Sequence, residues 1–479
     1  MLFNSITFAL FFLVVYLLYW FVFNRNLRQQ NLFLLTVSLF FYSLWDWRFI
    51  ILLLFSICLD FFTGNKIYKN SGSKLKKRLW LWLSILINLG LLGFFKYFNF
   101  FIDNFSGFVT LLGLKPNIGL LEIIVPIGIS FYTFHGLSYV IDIYKEKIKP
   151  VNSFIDYALF VSFFPLLVAG PIERATHLLP QIQQNRFFSY NKATNGLRQI
   201  LWGLVKKVVI GDTCGEYVNL IFDNPSHHNG STLFLGALLF SFQIYGDFSG
   251  YTDIALGTAR LLGIDLLQNF SYPYFSRDIA EFWRRWHISL SSWFKDYVYI
   301  PLGGSRGSKI QQVRNVFIIF MLIGFWHGAN WTFILYGLIN FIYFLPLLLL
   351  NKNRKNIKIV SVNNLKSKFI TFCNILLTFG LVSFARVFFR SKNLEDAFFY
   401  FSNMFSKSLF SFPDIFPKTV FALLICFICI EWLGRKDSFA IEKICLNWKK
   451  PLRISFYYTL VFLIFYHIGK DFQFIYFQF

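Results

Sequence analysis

Long apolar runs separated by short basic interruptions account for almost the whole chain. "FALFFLVVYLLYWFVF" (8–23) and "WLWLSILINLGLLGFFKYFNFF" (80–101) each approach the roughly 20 apolar residues that a ~30 Å hydrocarbon core asks of a helix. The single charge of the second run, Lys96, lies near one end, where a long side chain can snorkel. Similar runs fall at 3–23, 32–45, 48–63, 80–101, 119–141, 153–170, 196–222, 231–246, 250–264, 313–350, 369–389, 418–433 and 454–468. Some are too short to cross a bilayer. The pattern therefore predicts an all-α polytopic membrane protein with about 11 transmembrane helices, plus re-entrant and interfacial helices that stay buried in protein. No internal repeat and no soluble domain stands out, so 1–479 reads as a single membrane domain. The first run lacks a basic leader and a small-residue cleavage site, and it reads as a retained helix.

Composition agrees with the pattern: 56% of residues are hydrophobic, 22% aromatic and only 15% charged, well away from a soluble domain. The net charge of +22 raises nucleic-acid binding as an alternative, but the charge is distributed as cytoplasmic loops require. With the N-terminus outside, the loop at 24–30 is cytoplasmic, and so is 64–79, which carries Lys66, Lys69, Lys74, Lys76, Lys77 and Arg78 and no acid. The loop 102–118 then falls outside, "KEKIKP" (145–150) returns inside, and "NKNRKNIKIVSVNNLKSK" (351–368) has six basic residues and no acid. This is the positive-inside pattern, not a nucleic-acid footprint.

The run at 315–350 is interrupted by "GFWHGAN". Arg306, Lys309 and Arg314 precede it and the basic loop 351–368 follows, so it enters from the cytoplasmic side and returns there. Its first arm, 315–325, is expected to reach only about 16 Å at 1.5 Å per residue, and Gly324 and Gly328 allow close backbone approach at the break. His327 is then placed within the membrane's thickness, where an ionisable residue is a functional candidate. A core histidine hydrogen-bonded to a carbonyl is the competing reading. Upstream, "FWRRWHISLSSWFKDYVYIPLGG" (282–304) crowds Trp283, Trp286, His287 and Trp293 at spacings that predict one apolar helix face, with Arg284, Arg285 and Lys295 directed elsewhere. That predicts an interfacial amphipathic helix, or simply a basic helix on anionic headgroups. Cys426 and Cys429 form "CFIC" inside an apolar run, where cysteine acts as a small hydrophobe. No Cys or His spacing suggests a metal site.

"FWRRWHISLSSWFKDYVYIPLGGSR", followed forty residues after His287 by "WHGANWTFILYG", resembles the bacterial branch of the membrane-bound O-acyltransferases (MBOAT). "VPIGISFYTFHGLSYVIDIYK" (125–145), "AGPIERA" (169–175), "YGDFSGYTDIALGTARLLGI" (245–264), "RVFFRSKNLEDA" (386–397) and the terminal "FIYFQF" (474–479) agree in order. Nearly the whole chain is covered, with the core motifs at 125–350. Within the branch the chain is most similar to the membrane subunit of alginate O-acetyltransferase and to peptidoglycan-acetylating relatives.

The resemblance implies the MBOAT fold and an acetyltransferase of the bacterial inner membrane. It maps the family's two histidines onto His287 and His327, the latter catalytic, beside a tunnel joining the two sides of the membrane. It also implies acetyl-CoA as a cytosolic donor, with no permanently bound cofactor. An extracytoplasmic polysaccharide, alginate-like or peptidoglycan, would be the acceptor, reached through a periplasmic acetyltransferase-like partner. Arg284, Arg285, Lys295 and Arg306 are candidates for the donor phosphates, because guanidinium matches phosphate oxygens; the positive-inside bias explains them equally well. Asp247, Trp286, Trp326 and Asn330 are expected to line or orient the tunnel, with Asp253 a weaker candidate. Imidazole titrates near about 6.5 in water, and burial favours its neutral, proton-accepting form. Two alternatives stay open: a D-alanyl transferase for teichoic acids, loaded from a carrier protein, and a non-enzymatic polysaccharide flippase or exporter.

Overall fold

A computed structural model describes residues 1–114, 119–168, 170–357 and 365–469. The terminal "FIYFQF", part of the loops 102–118 and 351–368, and Ala169 of "AGPIERA" lie outside the described residues. Among those described, the secondary structure is helical. The chain divides into two compact units, Met1–Thr194 with Thr258–Leu267, and Asn195–Gly257 with Gln268–Phe479. Among the described residues, five helices are long and apolar enough to cross a membrane: Arg48–Lys69, Lys74–Leu111, Gly230–Leu261, Trp331–Leu349 and Leu365–Arg390. The protein is a multi-pass membrane protein.

In the first unit, polar residues start the helices where the sequence turns from polar to apolar. Asn26 accepts from the Arg28 N–H, Ser73 from the Lys76 N–H and Ser153 from the Asp156 N–H, each satisfying a donor that the first helical turn leaves open. Lys66 and Lys69 close Arg48–Lys69 at its negative end. The core of this unit holds a carboxylate: Asp60 Oδ1 accepts from Ser84 Oγ at 2.7 Å and Asn88 Nδ2 at 2.8 Å. The run at 80–101 does not end at a loop. A π-helical turn, Gly93–Tyr97, leads into the helix Phe98–Leu111, so the first ten residues of the expected outside loop are helical. Phe101, Phe105 and Phe108 recur at helical spacing there and extend the apolar surface.

In the second unit, two expected runs, 231–246 and 250–264, form one helix of 32 residues, Gly230–Leu261, about 48 Å long at 1.5 Å per residue. The glycines of "YGDFSGY" serve close approach and do not break it. A Cβ on Gly246 would lie 2.6 Å from the Lys206 carbonyl oxygen, and one on Gly250 would lie 2.7 Å from that of Gly203. The opposing element runs Tyr190–Leu204, then a π-helical stretch Val205–Asp212, then Thr213–Asp223. The π-helical stretch places Lys206 and Lys207 in the buried interior, a local geometry that recurs at functional sites.

The expected in-and-back segment is an antiparallel pair, Lys309–His327 and Trp331–Leu349. Ser308 and Gln311 make a capping box at its start, and Asn330 caps the second arm by accepting from the Thr332 N–H at 3.0 Å. Lys309 Nζ donates to the Leu348 carbonyl at 3.1 Å and to Asn351, so both outer ends lie together. The first arm is longer than expected. Its 19 residues span about 28 Å in place of about 16 Å, because the polar turn "KIQQVRN" is already helical. His327 therefore stands at the turn of the pair, as the in-and-back reading placed it, but at the end of a first arm about 28 Å long rather than about 16 Å. Gly324 packs on Gly337, whose added Cβ would meet the Phe320 carbonyl at 2.5 Å. Gly328 is in ordinary extended backbone beside the Phe333 ring.

Candidate active site

The stretch 279–299 is not one amphipathic helix. It runs Ile279–Arg285, breaks, then Ile288–Phe294 and a π-helical turn Lys295–Tyr299. The break is at His287, held in the left-handed region at φ 45, ψ 54, which costs a non-glycine residue roughly 1–2 kcal/mol. Asn269 compensates. Its carbonyl accepts from the Ile288 N–H at 2.9 Å, and its Oδ1 accepts from Ser289 Oγ at 2.9 Å and Ser289 N at 3.3 Å. The expected sidedness does hold: Trp283, Trp286, His287 and Trp293 are buried while Arg284 is exposed.

These bonds fix the imidazole's state. Because the Ser289 N–H can only donate, the Asn269 atom facing it is the oxygen, and the His287 Nδ1 at 3.1 Å from the same oxygen must carry the proton. Nε2 is then the proton-accepting atom, and it is buried with no hydrogen-bond partner among the described residues. Burial pushes the His287 imidazole down to about 3, so it is neutral at physiological pH.

Trp326 joins the two histidines. Its ring centroid lies 5.6 Å from that of His287 and 5.1 Å from that of His327. Phe248, next to Asp247, packs on His287 at 4.8 Å, while Phe389 packs on His327 at 5.0 Å and Tyr336 at 6.2 Å. Both imidazoles thus sit behind aromatic walls, His287 completely buried and His327 4% exposed.

Residues 140–364 match the description MBOAT, membrane-bound O-acyltransferase family. Along most of its length the chain is similar to the peptidoglycan O-acetyltransferase of Helicobacter pylori, 38% identical over 430 residues, which cover 83% of this chain and 78% of that protein. The chain belongs to the membrane-bound O-acyltransferase family. The probable alginate O-acetylase AlgI of Pseudomonas aeruginosa is 37% identical over 85% of this chain and 75% of its own. The teichoic acid D-alanyltransferase of Bacillus subtilis is 30% identical over 56% of this chain and 69% of its own. The protein is an acyltransferase, and the exporter reading gives way.

The acyltransferase brings together four of its expected site residues: His287, His327, Trp326 and, beside His287, the buried Trp286. Asn330 lies in the same turn as His327 and donates to the Lys392 carbonyl at 2.8 Å. Asp247 is drawn elsewhere, its Oδ1 2.5 Å from Lys207 Nζ, which also pairs with Asp212 at 2.7 Å. Asp253 pairs with Lys206 at 2.5 Å and accepts from Gln199 at 2.9 Å. The four cations also separate. Arg284 donates to the Asn353 and Asn356 carbonyls at 2.9 and 3.3 Å, and Arg285 pairs with Glu281 at 2.7 Å. Lys295 has its side chain 62% exposed, 3.7 Å from Asp296, and Arg306 is exposed.

Four residues near this chemistry were not singled out from the sequence: Asn269, Tyr336, Arg386 and Glu431. Glu431 accepts from Trp202 Nε1 at 3.1 Å and Tyr245 OH at 2.7 Å, beside a cavity of about 20 Å³ that Asn269, Lys206 and Asp253 also line. A carboxylate inside the apolar "CFICIEWLG" was the available signal for Glu431. Asn269 carries no spacing signal, because its role depends on the fold bringing it to His287.

Proposed function

We propose that this acyltransferase carries an acetyl group from cytosolic acetyl-CoA across the inner membrane to hydroxyls of an extracytoplasmic polysaccharide, with a periplasmic transferase completing delivery. The carrying observation is the pair His287 and His327 on either side of Trp326, in a chain whose similarity to a peptidoglycan O-acetyltransferase and an alginate O-acetylase extends over most of its length. His327 takes the proton of the attacking hydroxyl as its oxygen bonds the acetyl carbon. The same proton then goes to the departing thiolate. His287, fixed by Asn269 with Nε2 facing into the protein, places the donor or acceptor by accepting a hydrogen bond. The basic loops keep the N-terminus outside and hold donor phosphates on the cytoplasmic face, with Lys295 and Arg306 the accessible cations.

Inverted membrane vesicles test this, since they present the cytoplasmic face to added donor and enclose the acceptor. Labelled acetyl from acetyl-CoA should appear in trapped polymer, and a D-alanyl carrier protein should give none. Labelling from the carrier alone would move the enzyme to the D-alanyl class, to which its similarity covers less of the chain.

A further inference from the structure

Among the described residues of the second unit, the buried Lys206 and Lys207 and the half-buried Arg390 are matched with carboxylates, and the buried Arg386 is not. Lys206 has Asp253, Lys207 has Asp212 and Asp247, and Arg390 has Asp223 at 3.6 Å with Asn219 at 3.0 Å. Arg386, one turn before Arg390 on the helix Leu365–Arg390, is 1% exposed and has no carboxylate partner among the described residues. Nη1 donates to the Tyr274 hydroxyl, which in turn donates to the Ser241 carbonyl. Nε and Nη2 are buried, and among the described residues neither makes a hydrogen bond of good geometry, the Tyr336 hydroxyl being the polar group that comes near the guanidinium on that side. Arginine stays charged in proteins, so a full positive charge with unused donors is held inside the molecule.

Aromatic faces hold that charge in place. The guanidinium carbon lies 4.2 Å from the Trp286 ring centroid, 5.2 Å from Tyr274 and 5.6 Å from Phe282, the arrangement of a cation over π faces. Ring faces offset part of the desolvation without using the N–H donors. Trp286 immediately precedes His287. On the other side, the Arg386 guanidinium approaches the Tyr336 hydroxyl closely enough for an electrostatic and hydrogen-bonding interaction; Tyr336 packs toward His327, and Phe389 one turn along packs on His327 itself. Arg386 thus stands in the shell shared by the two histidines.

We infer that Arg386 is a catalytic residue that holds the acetyl carbonyl oxygen and stabilises the negative charge it acquires. This deepens the acetyl-transfer reading and rests on it. The acceptor oxygen bonds the carbonyl carbon while its proton passes to His327. The carbonyl π pair moves onto oxygen, where Nε–H and Nη2–H of Arg386 donate to the alkoxide. The pair then returns, the carbon–sulfur bond breaks, and the thiolate takes the proton from His327. Donors arranged in advance at a water-poor site stabilise such charge strongly.

The test uses inverted vesicles containing the full chain at matched amounts, with acetyl-CoA as donor. Arg386→Gln should lower the maximum rate of polymer labelling about 10²–10³-fold, as loss of an oxyanion donor does, and leave the half-saturating acetyl-CoA concentration nearly unchanged. Arg386→Lys, which keeps the charge and loses the fork, should recover part of that rate. A normal maximum rate in Arg386→Gln, or a loss confined to half-saturation, overturns the assignment. If Arg386→Gln does not accumulate, Tyr274→Phe decides, because it removes only the hydroxyl that holds Nη1: an unchanged maximum rate overturns the proposal, a lowered one at unchanged half-saturation supports it. His327→Ala separates the two levels. Equal labelling by His327→Ala and the unaltered protein sinks acetyl transfer at His327; an inactive His327→Ala beside a normal Arg386→Gln removes only the oxyanion role.

Discussion

His135 and His287 are both fully buried, yet they use their nitrogens differently. His135 lies within the helix Ile129–Tyr144, and its Nε2 accepts from the Glu173 N–H at 3.1 Å. The Glu173 carboxylate goes on to the Leu267 N–H at 2.6 Å and His177 Nδ1 at 2.8 Å, so this imidazole fastens a connecting segment to a helix. His287 sits in strained backbone and has its Nδ1 proton committed to Asn269, while Nε2 is buried with no hydrogen-bond partner among the described residues. Burial therefore does not mark function. What separates the two is that His287 keeps its accepting nitrogen open behind aromatic walls while His135 uses its own on the Glu173 N–H, and His327 shares one of those walls through Trp326.

The comparison is broken most severely at His327. Because general-base catalysis contributes about 10²–10⁴-fold, His327→Ala should reduce polymer acetylation by that factor at matched membrane levels, and near-normal O-acetyl content would remove it from the mechanism.

His287 separates from His135 by pH. Its folded value of about 3 lies below the ~6.5 of an unfolded chain, so the unfolded state binds the extra proton and stability falls as pH drops below about 6.5 toward 3. In detergent, the melting temperature of the unaltered protein should fall more steeply over that window than that of His287→Gln. Parallel curves would show that His287 is not held neutral by burial.

His135→Ala sharpens the contrast from the other side. It leaves the Glu173 N–H without its acceptor, a loss of about 1–3 kcal/mol for a buried donor, and should lower the melting temperature while acetylation per folded molecule stays within about threefold. A loss comparable to that of His327→Ala would make the two kinds of histidine indistinguishable.

The sequence carries the apolar spans and both histidines because each depends on local pattern or on one ordered motif. It is weaker where packing decides. Gly246 and Gly250 look like helix breakers until the facing Lys206 and Gly203 carbonyls are in place. "EFWRRWHISL" has the periodicity of one helix, and only the Asn269 bonds, from 18 residues upstream, turn His287 into a break. In "RVFFR" the two arginines look alike. Asp223 and Asn219 reach Arg390 alone, and the aromatic faces of Trp286, Tyr274 and Phe282 surround Arg386. Such distinctions belong to tertiary structure.

The smallest effect concerns the cations of the broken helix. Arg284 is spent on two carbonyls and Arg285 on Glu281, which Arg277 also holds at 2.9 Å, whereas Lys295 and Arg306 are accessible to a phosphate. Exposed charge pairs are worth about 0.2–1 kcal/mol, so Lys295→Gln with Arg306→Gln should raise half-saturating acetyl-CoA by about twofold to, at most, about 30-fold if the two pairs add. Arg284→Gln with Arg285→Gln should raise it less, since Arg277 keeps Glu281 paired and the donor loses no free cation. The difference should shrink as salt is added, because exposed pairs are screened. The opposite order would mean that Arg284 and Arg285 exchange their internal partners for donor phosphates on binding, and that the cytoplasmic face rearranges before acetyl reaches Trp326.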